Sequence, residues 1–216
     1  MKRPPTDALI EALADRAVPV RPLARPGWRA MLAIVLLTIA GGFAIMAFGD
    51  VKQLRARYFG REDMMMLEMA AMALTATLAI AGAFAVSVPG GSRRWLFAPI
   101  PSALVWVVIA GIGCIGVSRT PGYDPGHSID CWLFILLASL LIGVPLVWRL
   151  SRAHPIDPLP VAALAGLGSA AAGAFLLQYF HPFAVTAIDF AVHLVTVLLV
   201  VAIFARANRK ILAPTP

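Results

Sequence analysis

Long apolar runs separated by short polar connectors dominate the sequence after residue 29. Each run holds about 20 residues, the length that an α-helix needs to cross a hydrocarbon layer about 30 Å thick. The connectors contain turn residues, as in Gly49-Asp50 and Pro89-Gly90-Gly91. The pattern predicts an all-α polytopic membrane protein with six transmembrane helices, at Ala30–Phe48, Met64–Val88, Leu96–Val117, Ile129–Trp148, Val161–Phe180 and Phe183–Ala205.

The predicted spans divide the chain into three segments. Residues 1–29 form an N-terminal tail, residues 30–205 a transmembrane domain, and residues 206–216 a short basic tail. Of the 216 residues, 60% are hydrophobic and only 13% are charged, and the mean hydropathy is +0.84. These values exclude a soluble globular protein. Five more apolar runs follow the first, so we interpret the first as a retained span rather than a cleaved signal peptide.

Basic residues are distributed unevenly between the two sides of the predicted bundle. The two tails and the second and fourth connectors hold thirteen of the 18 Lys and Arg residues. Because cytoplasmic segments carry the excess of Lys and Arg in membrane proteins, we expect both termini to be cytoplasmic. The net charge of +7 then reflects membrane orientation, and we expect no direct contact with nucleic acid.

The N-terminal tail contains one segment with helical character, from Thr6 to Arg16. Thr6 is a suitable N-cap and Asp7 places an acidic side chain in the first turn. Because a helix of about a dozen residues is marginally stable alone in water, its apolar face needs a partner. We interpret the tail as a docking peptide; the alternative is a solvated leader that only sets topology. The apolar face consists of Leu9, Ile10 and Leu13.

Proline residues follow this helix. Each proline removes a backbone donor and disfavours helix at the residue before it. We therefore expect the helix to end near Val18 and an extended linker to lead to the first span. The prolines are Pro19, Pro22 and Pro26.

Small residues recur every four positions in the fifth span. Lipid gives helices no hydrophobic reason to associate, and small side chains allow close backbone approach. We expect this face to pack tightly against a neighbour, either within the bundle or across a homodimer. Its members are Ala162, Gly166, Ala170 and Ala174.

Polar and thiol side chains at membrane depth gather toward the side opposite the termini. In the sixth span Asp189 and His193 are four residues apart and share one helical stripe. An ionisable group at this depth is costly unless it is paired, so we expect both to face the bundle interior and to bond each other or Glu68. The other members of this group are Cys114, His127, Asp130, Cys131 and Thr186.

Three interpretations of this polar group remain open. It could be a structural network that fixes helix register. It could be a sensor site in which Cys, His and carboxylate groups bind a soft or borderline metal ion, or in which the thiols oxidise. It could also be a proton or ion path, as in a small ion-coupled transporter that uses Asp189 and His193. A purely structural membrane subunit is a further possibility if the tail has no regulatory role.

The sequence contains no motif of a soluble enzyme. GxSxG, P-loop, HExxH and dinucleotide-binding signatures are all missing from it. With two cysteines, it also has neither a disulfide framework nor a CxxC zinc motif. We expect no enzymatic activity and no required cofactor.

The order of several features resembles the NrsF family of membrane anti-sigma factors, which negatively regulate ECF sigma factors. The resemblance covers nearly the whole chain and includes six spans and a fifth span rich in small residues. The segments that carry it are Thr6-Asp7-Ala8-Leu9-Ile10-Glu11-Ala12-Leu13 with its Pro-rich leader, Pro89-Gly90, Cys131, and Leu150-Ser151-Arg152-Ala153-His154-Pro155.

The resemblance implies a regulator in the bacterial inner membrane that sequesters a sigma factor through its cytoplasmic tail. A stress signal received in the membrane or periplasm would release the sigma factor. Leu9, Ile10 and Leu13 would supply the apolar contact. The carboxylates that would pair with a basic sigma surface are Asp7, Glu11 and Asp15.

In the family, a pair of cysteines is linked to sensing heavy-metal stress. Cys131 matches the first, whereas His181 stands where the second is expected. The departure argues against a simple two-thiol sensor. A mixed site of Cys131 and His181, helped by His193, could bind metal instead. Cys114 could supply the missing thiol if the third and fourth spans are adjacent.

Overall fold

The protein is a bundle of long helices. The computed structural model describes residues 6–16, 22–57, 59, 62–117, 126–180 and 187–211, apart from the side chains of residues 53, 57, 114–117, 126–129 and 208–211. No strand occurs in these residues. The helices are α1 (Thr6–Asp15), α2 (Pro26–Phe48), α3 (Val51–Arg57), α4 (Glu62–Val86), α5 (Ile100–Val117), α6 (Gly126–Ser151), α7 (Pro158–Phe180) and α8 (Ala187–Ile211).

The six predicted spans are confirmed. Six helices of the described chain are long and apolar enough to cross a membrane, namely α2, α4, α5 with the turn before it, α6, α7 and α8. Large apolar side chains cover their outer surfaces, and Met46 is 89% exposed and Leu141 78% exposed. Such side chains are expected to face lipid tails.

The helix ends differ from the predicted ends by a few residues. Helix α2 begins at Pro26 rather than Ala30, because proline lacks only a backbone donor that is unsatisfied in the first turn anyway. Helix α4 begins at Glu62, since acidic residues suit a helix start although they lower hydropathy. Helix α8 continues to Ile211. Residues 181–186, where the sixth span was predicted to begin, lie outside the described residues.

Two short helices were not predicted. Helix α3 follows α2 after two residues and contains the buried Leu54. A 3₁₀ helix at Arg93–Leu96 precedes α5, and a turn separates the two. Both are amphipathic or basic, so they escape a search for long apolar runs.

Helix α7 lies at the centre of the bundle and packs mainly against α4, α8 and α6. Its small residues explain this position. A Cβ added at Gly166 would lie 3.0 Å from the Cα of Val201 in α8, and one added at Gly168 would lie 2.8 Å from Ile80 in α4. Glycine at these positions therefore allows the neighbouring backbones to approach closely.

The small-residue face of α7 is buried within one chain. Ala162 and Ala170 are completely buried and Ala174 is 5% exposed, and Gly166 is also buried. The predicted tight packing is therefore within the bundle. A homodimer through this face, the other alternative, would need these residues on an outer surface, where they do not lie.

The bundle has two ends, which we name by the course of α2. At the proximal end, where α2 begins, the side chain of Arg29 contacts the end of α6. At the distal end, where α2 ends, the backbone N–H of Asp50 donates a 2.9 Å hydrogen bond to the carbonyl of Tyr179 at the end of α7. The N-terminal tail therefore joins the bundle at the proximal end, on the side opposite to the contact between Asp50 and Tyr179.

Candidate functional site

Helix α1 carries the residues predicted to bind a partner. In the described residues the helix runs from Thr6 to Asp15, so Thr6 is itself helical rather than an N-cap, and the helix ends before the predicted Val18. Asp7 lies in the first turn. None of its residues is buried: Leu9 is 49%, Ile10 60% and Leu13 62% exposed. The helix thus presents an uncovered apolar face, next to the exposed carboxylate of Glu11.

The first turn of α2 connects the tail to the bundle. Residues 17–21, in the predicted linker, lie outside the described residues, and residues 22–25 are irregular. Arg29 then contacts two other helices. Its Nη2 donates a 2.8 Å hydrogen bond to the carbonyl of Arg149, and its guanidinium carbon lies 5.1 Å from the centre of the Phe84 ring. These two contacts hold the start of α2 against α4 and α6.

The rest of α2 packs loosely. Only Ala30 and Ala33 of its 23 residues are buried. A mainly apolar groove of about 410 Å³ lies between α2, α4 and Trp95. Helix α2 is therefore the span with the fewest buried residues to hold it in one position.

A buried polar pair lies between α4 and α7 near the distal end. Glu68 and Gln178 are each 7% exposed. The Nε2 of Gln178 donates a 3.4 Å hydrogen bond to the Oε1 of Glu68. The sequence predicted that Asp189 and His193 bond each other or Glu68, and it did not identify Gln178 as a partner of Glu68. An amide in an otherwise small and apolar helix was the signal that could have identified it.

Asp189 and His193 lie on the first two turns of α8. Asp189 is 2% exposed, as expected for an interior carboxylate. His193 is partly buried. Their spacing of four residues places both on one side of the helix.

Cys131 lies in the second turn of α6 and is 6% exposed. It packs in a small apolar cluster with Ile135 and Leu177, and Phe134 lies against this cluster. Because Leu177 belongs to α7, the thiol lies at the contact between α6 and the central helix. Most of the thiol surface is therefore covered by neighbouring side chains.

Three predicted sensor residues cannot be placed. His181 and the side chains of Cys114 and His127 lie outside the described residues. Among the side chains that are described, no group of three His, Cys, Asp or Glu residues is arranged to hold a metal ion. Helix α5 packs chiefly on α4 and α8, and α6 on α7 and α8. In the described parts of these helices, α5 and α6 therefore lack the extensive packing that would favour a contact between Cys114 and Cys131.

Comparison with known proteins identifies the family. The family model described as "NrsF: Negative regulator of sigma F" matches residues 13–213. The match begins inside α1 at Leu13, so the other predicted partner-binding residues precede it. Neither the curated proteins nor the solved structures gave a match. Because the family model covers nearly the whole chain, the protein belongs to the NrsF family of negative regulators of sigma F.

Proposed function

We propose that the protein is an inner-membrane anti-sigma factor that holds an ECF sigma factor through its N-terminal tail. Both termini face the cytoplasm, and the protein acts by binding rather than by catalysis. Membership of a family of negative regulators supports a sigma factor as the partner. The distribution of Lys and Arg supports the orientation.

The exposed apolar face of α1 carries the proposal. On the spans, exposed leucine and phenylalanine side chains are covered by lipid. Helix α1 precedes the spans. Contact with lipid tails therefore does not explain why Leu9, Ile10 and Leu13 are exposed. A short helix with such a face is stabilised by insertion into an apolar groove of a partner. The neighbouring carboxylates of Asp7 and Glu11 would steer it toward a basic surface on the sigma factor.

Release would follow from a change in helix arrangement at the distal end. Cys131 is the principal candidate for receiving a heavy-metal or redox signal, because metal binding or oxidation at its thiol would disturb the contact between α6 and α7. The remaining candidate ligands are Cys114, His127, His181, Asp189 and His193. The signal can act only through a difference in sigma affinity between the two arrangements. Loosely packed α2 is suited to transmit this difference to the tail.

The test is direct binding between the full-length protein in nanodiscs and the ECF sigma factors of its host. Leu9→Asp/Leu13→Asp places two charges on the apolar face. Loss of two buried apolar contacts, each worth about 1.5–3 kcal/mol, should weaken binding at least about 100-fold. Leu23→Asp is the matched control, because Leu23 is also 49% exposed in the tail but lies outside α1.

The control should leave sigma affinity within about threefold of the native value. Equal loss in both variants would mean that the tail binds through general hydrophobicity and not through the α1 face. Failure of the native protein to bind any of the sigma factors would contradict the proposed function.

A further inference from the structure

Three arginine side chains approach one another at the proximal end. Arg29 lies in the first turn of α2, Arg149 in the last turn of α6, and Arg152 in the turn that follows. The guanidinium of Arg29 is held by the carbonyl of Arg149 at 2.8 Å and by the Phe84 ring. Because the acceptor is a backbone atom, this bond does not involve the guanidinium group of Arg149, which can still bind another group.

The three guanidinium groups are all positively charged and therefore repel one another. Arg149 and Arg152 both act on Arg29 as like charges, and the Arg29 side chain is partly desolvated. Its Nη1 is buried and forms no hydrogen bond with any residue that the structure describes. The side chains of Arg149 and Arg152 are exposed. Repulsion of this kind costs free energy unless an anion lies between the groups.

The surroundings of the arginines are typical of the membrane–water interface. The guanidinium carbon of Arg152 lies 4.2 Å from the centre of the Trp148 ring, and Trp148 is 57% exposed. Tryptophan is enriched at the level of lipid head groups, and basic pockets between spans bind anionic head groups. These features are those expected of a site at the depth of phospholipid phosphates.

We propose that Arg29, Arg149 and Arg152 form a binding site for the phosphate of an anionic phospholipid. Guanidinium groups bind phosphate oxygens with paired hydrogen bonds. One lipid would neutralise the repulsion and join the start of α2 to the end of α6. Since α2 follows the tail, the lipid would also fix the point from which α1 extends.

The experiment compares the full-length protein in nanodiscs of phosphatidylcholine with and without phosphatidylglycerol. The readouts are the thermal unfolding midpoint and the number of phosphatidylglycerol molecules retained after partial delipidation, measured by native mass spectrometry. Phosphatidylglycerol should raise the midpoint of the native protein, and one molecule should be retained. Arg149→Gln/Arg152→Gln should remove the rise and reduce retention about tenfold, although the Arg149 carbonyl still binds Arg29.

Arg93→Gln/Arg94→Gln is the matched control. These two exposed arginines lie in the 3₁₀ helix at the same end, and the variant loses the same charge. It should keep the native response to phosphatidylglycerol. Equal loss in both double variants would overturn the site, because general charge attraction would then suffice. Absence of any midpoint rise in the native protein would also overturn it.

A further measurement distinguishes a lipid phosphate from a soluble phosphate compound. Free sn-glycerol 3-phosphate, added to the native protein in phosphatidylcholine nanodiscs, should leave the midpoint unchanged. A rise equal to that given by phosphatidylglycerol would assign the site to a soluble phosphate compound and would overturn the lipid proposal.

Discussion

Glu68 and Gln178 show how single polar residues are accommodated in this bundle. Each is nearly fully buried, and together they bridge α4 and α7 with one hydrogen bond. Burying a carboxylate at this depth is costly unless hydrogen bonds compensate it. The pair therefore both stabilises the contact and specifies how the two helices are aligned.

Replacing Gln178 with Leu should destabilise the protein. The change removes the Nε2 donor and leaves the Glu68 carboxylate buried with less compensation. Hydrogen bonds between membrane helices contribute about 0.6 kcal/mol on average, and loss of a partner to a charged group costs more, so we expect a loss of about 1–2 kcal/mol. Reversible unfolding in bilayer-like micelles measures this change in the free energy of unfolding.

A double-mutant cycle with Glu68→Leu supplies the control for Gln178→Leu. Replacing both polar groups with apolar ones should cost less than the two single changes added together. Additive effects would show that the two residues do not stabilise the contact through each other.

At the scale of elements, apolar run length sufficed to predict the six spans, because a bilayer requires about 20 apolar residues per helix. It did not predict α3 or the 3₁₀ helix, which are too short and too polar for that signal. The small residues of α7 indicated tight packing but not the partners of each face. Those partners depend on the complementary shapes of α4, α6 and α8, which lie far away in the sequence.

Substitution at Gly166 tests the close contact between α7 and α8. A Cβ at this position would lie 3.0 Å from the Cα of Val201 and 3.2 Å from the Cβ of Phe204. Gly166→Leu should therefore force the helices apart and cost about 3 kcal/mol, at the upper end of the usual range for overpacking. The thermal unfolding midpoint in nanodiscs measures the effect.

Gly42→Leu in α2 is the matched change for Gly166→Leu. Nothing lies within 4 Å of a Cβ built at Gly42, and leucine favours helix over glycine. This variant should be as stable as the native protein or more so. A similar loss in both variants would mean that glycine is needed for a reason other than helix contact.

For the whole molecule, the proposed sensor residues and the proposed sigma-binding tail lie at opposite ends of the bundle, so the proposed function requires transmission between the two ends. The predicted sensor residues that can be placed lie near the distal end, whereas the tail leaves from the proximal end. Cys131 contacts Leu177 of the central helix α7, and α2 packs on α4 and, to a smaller extent, on α7. A rearrangement that begins at α6 can therefore reach α2 through helices that are already in contact. The sequence allowed the tail and the sensor residues to be predicted. It did not predict that α7 would lie between them.

Cys131→Ser should separate signal reception from sigma binding. Serine is close in size to cysteine but binds soft metals poorly and is not oxidised to a disulfide. Without a signal, the variant should bind the sigma factor within about twofold of the native protein, because α1 is unchanged. After exposure to heavy metals or oxidants, it should retain the sigma factor under conditions in which the native protein releases it. Sigma binding in nanodiscs, measured before and after each treatment, gives both values.

Cys114→Ser is the control for the loss of a thiol. The described part of α5 packs on α4 and α8 rather than on α6, so this variant should release the sigma factor as the native protein does. Loss of release in both variants would indicate that the two thiols act together after a rearrangement of these helices. Normal release by Cys131→Ser would exclude its thiol as the receiver of the signal. Reception would then have to be sought among the imidazole and carboxylate groups of the distal end, beginning with Asp189 and His193.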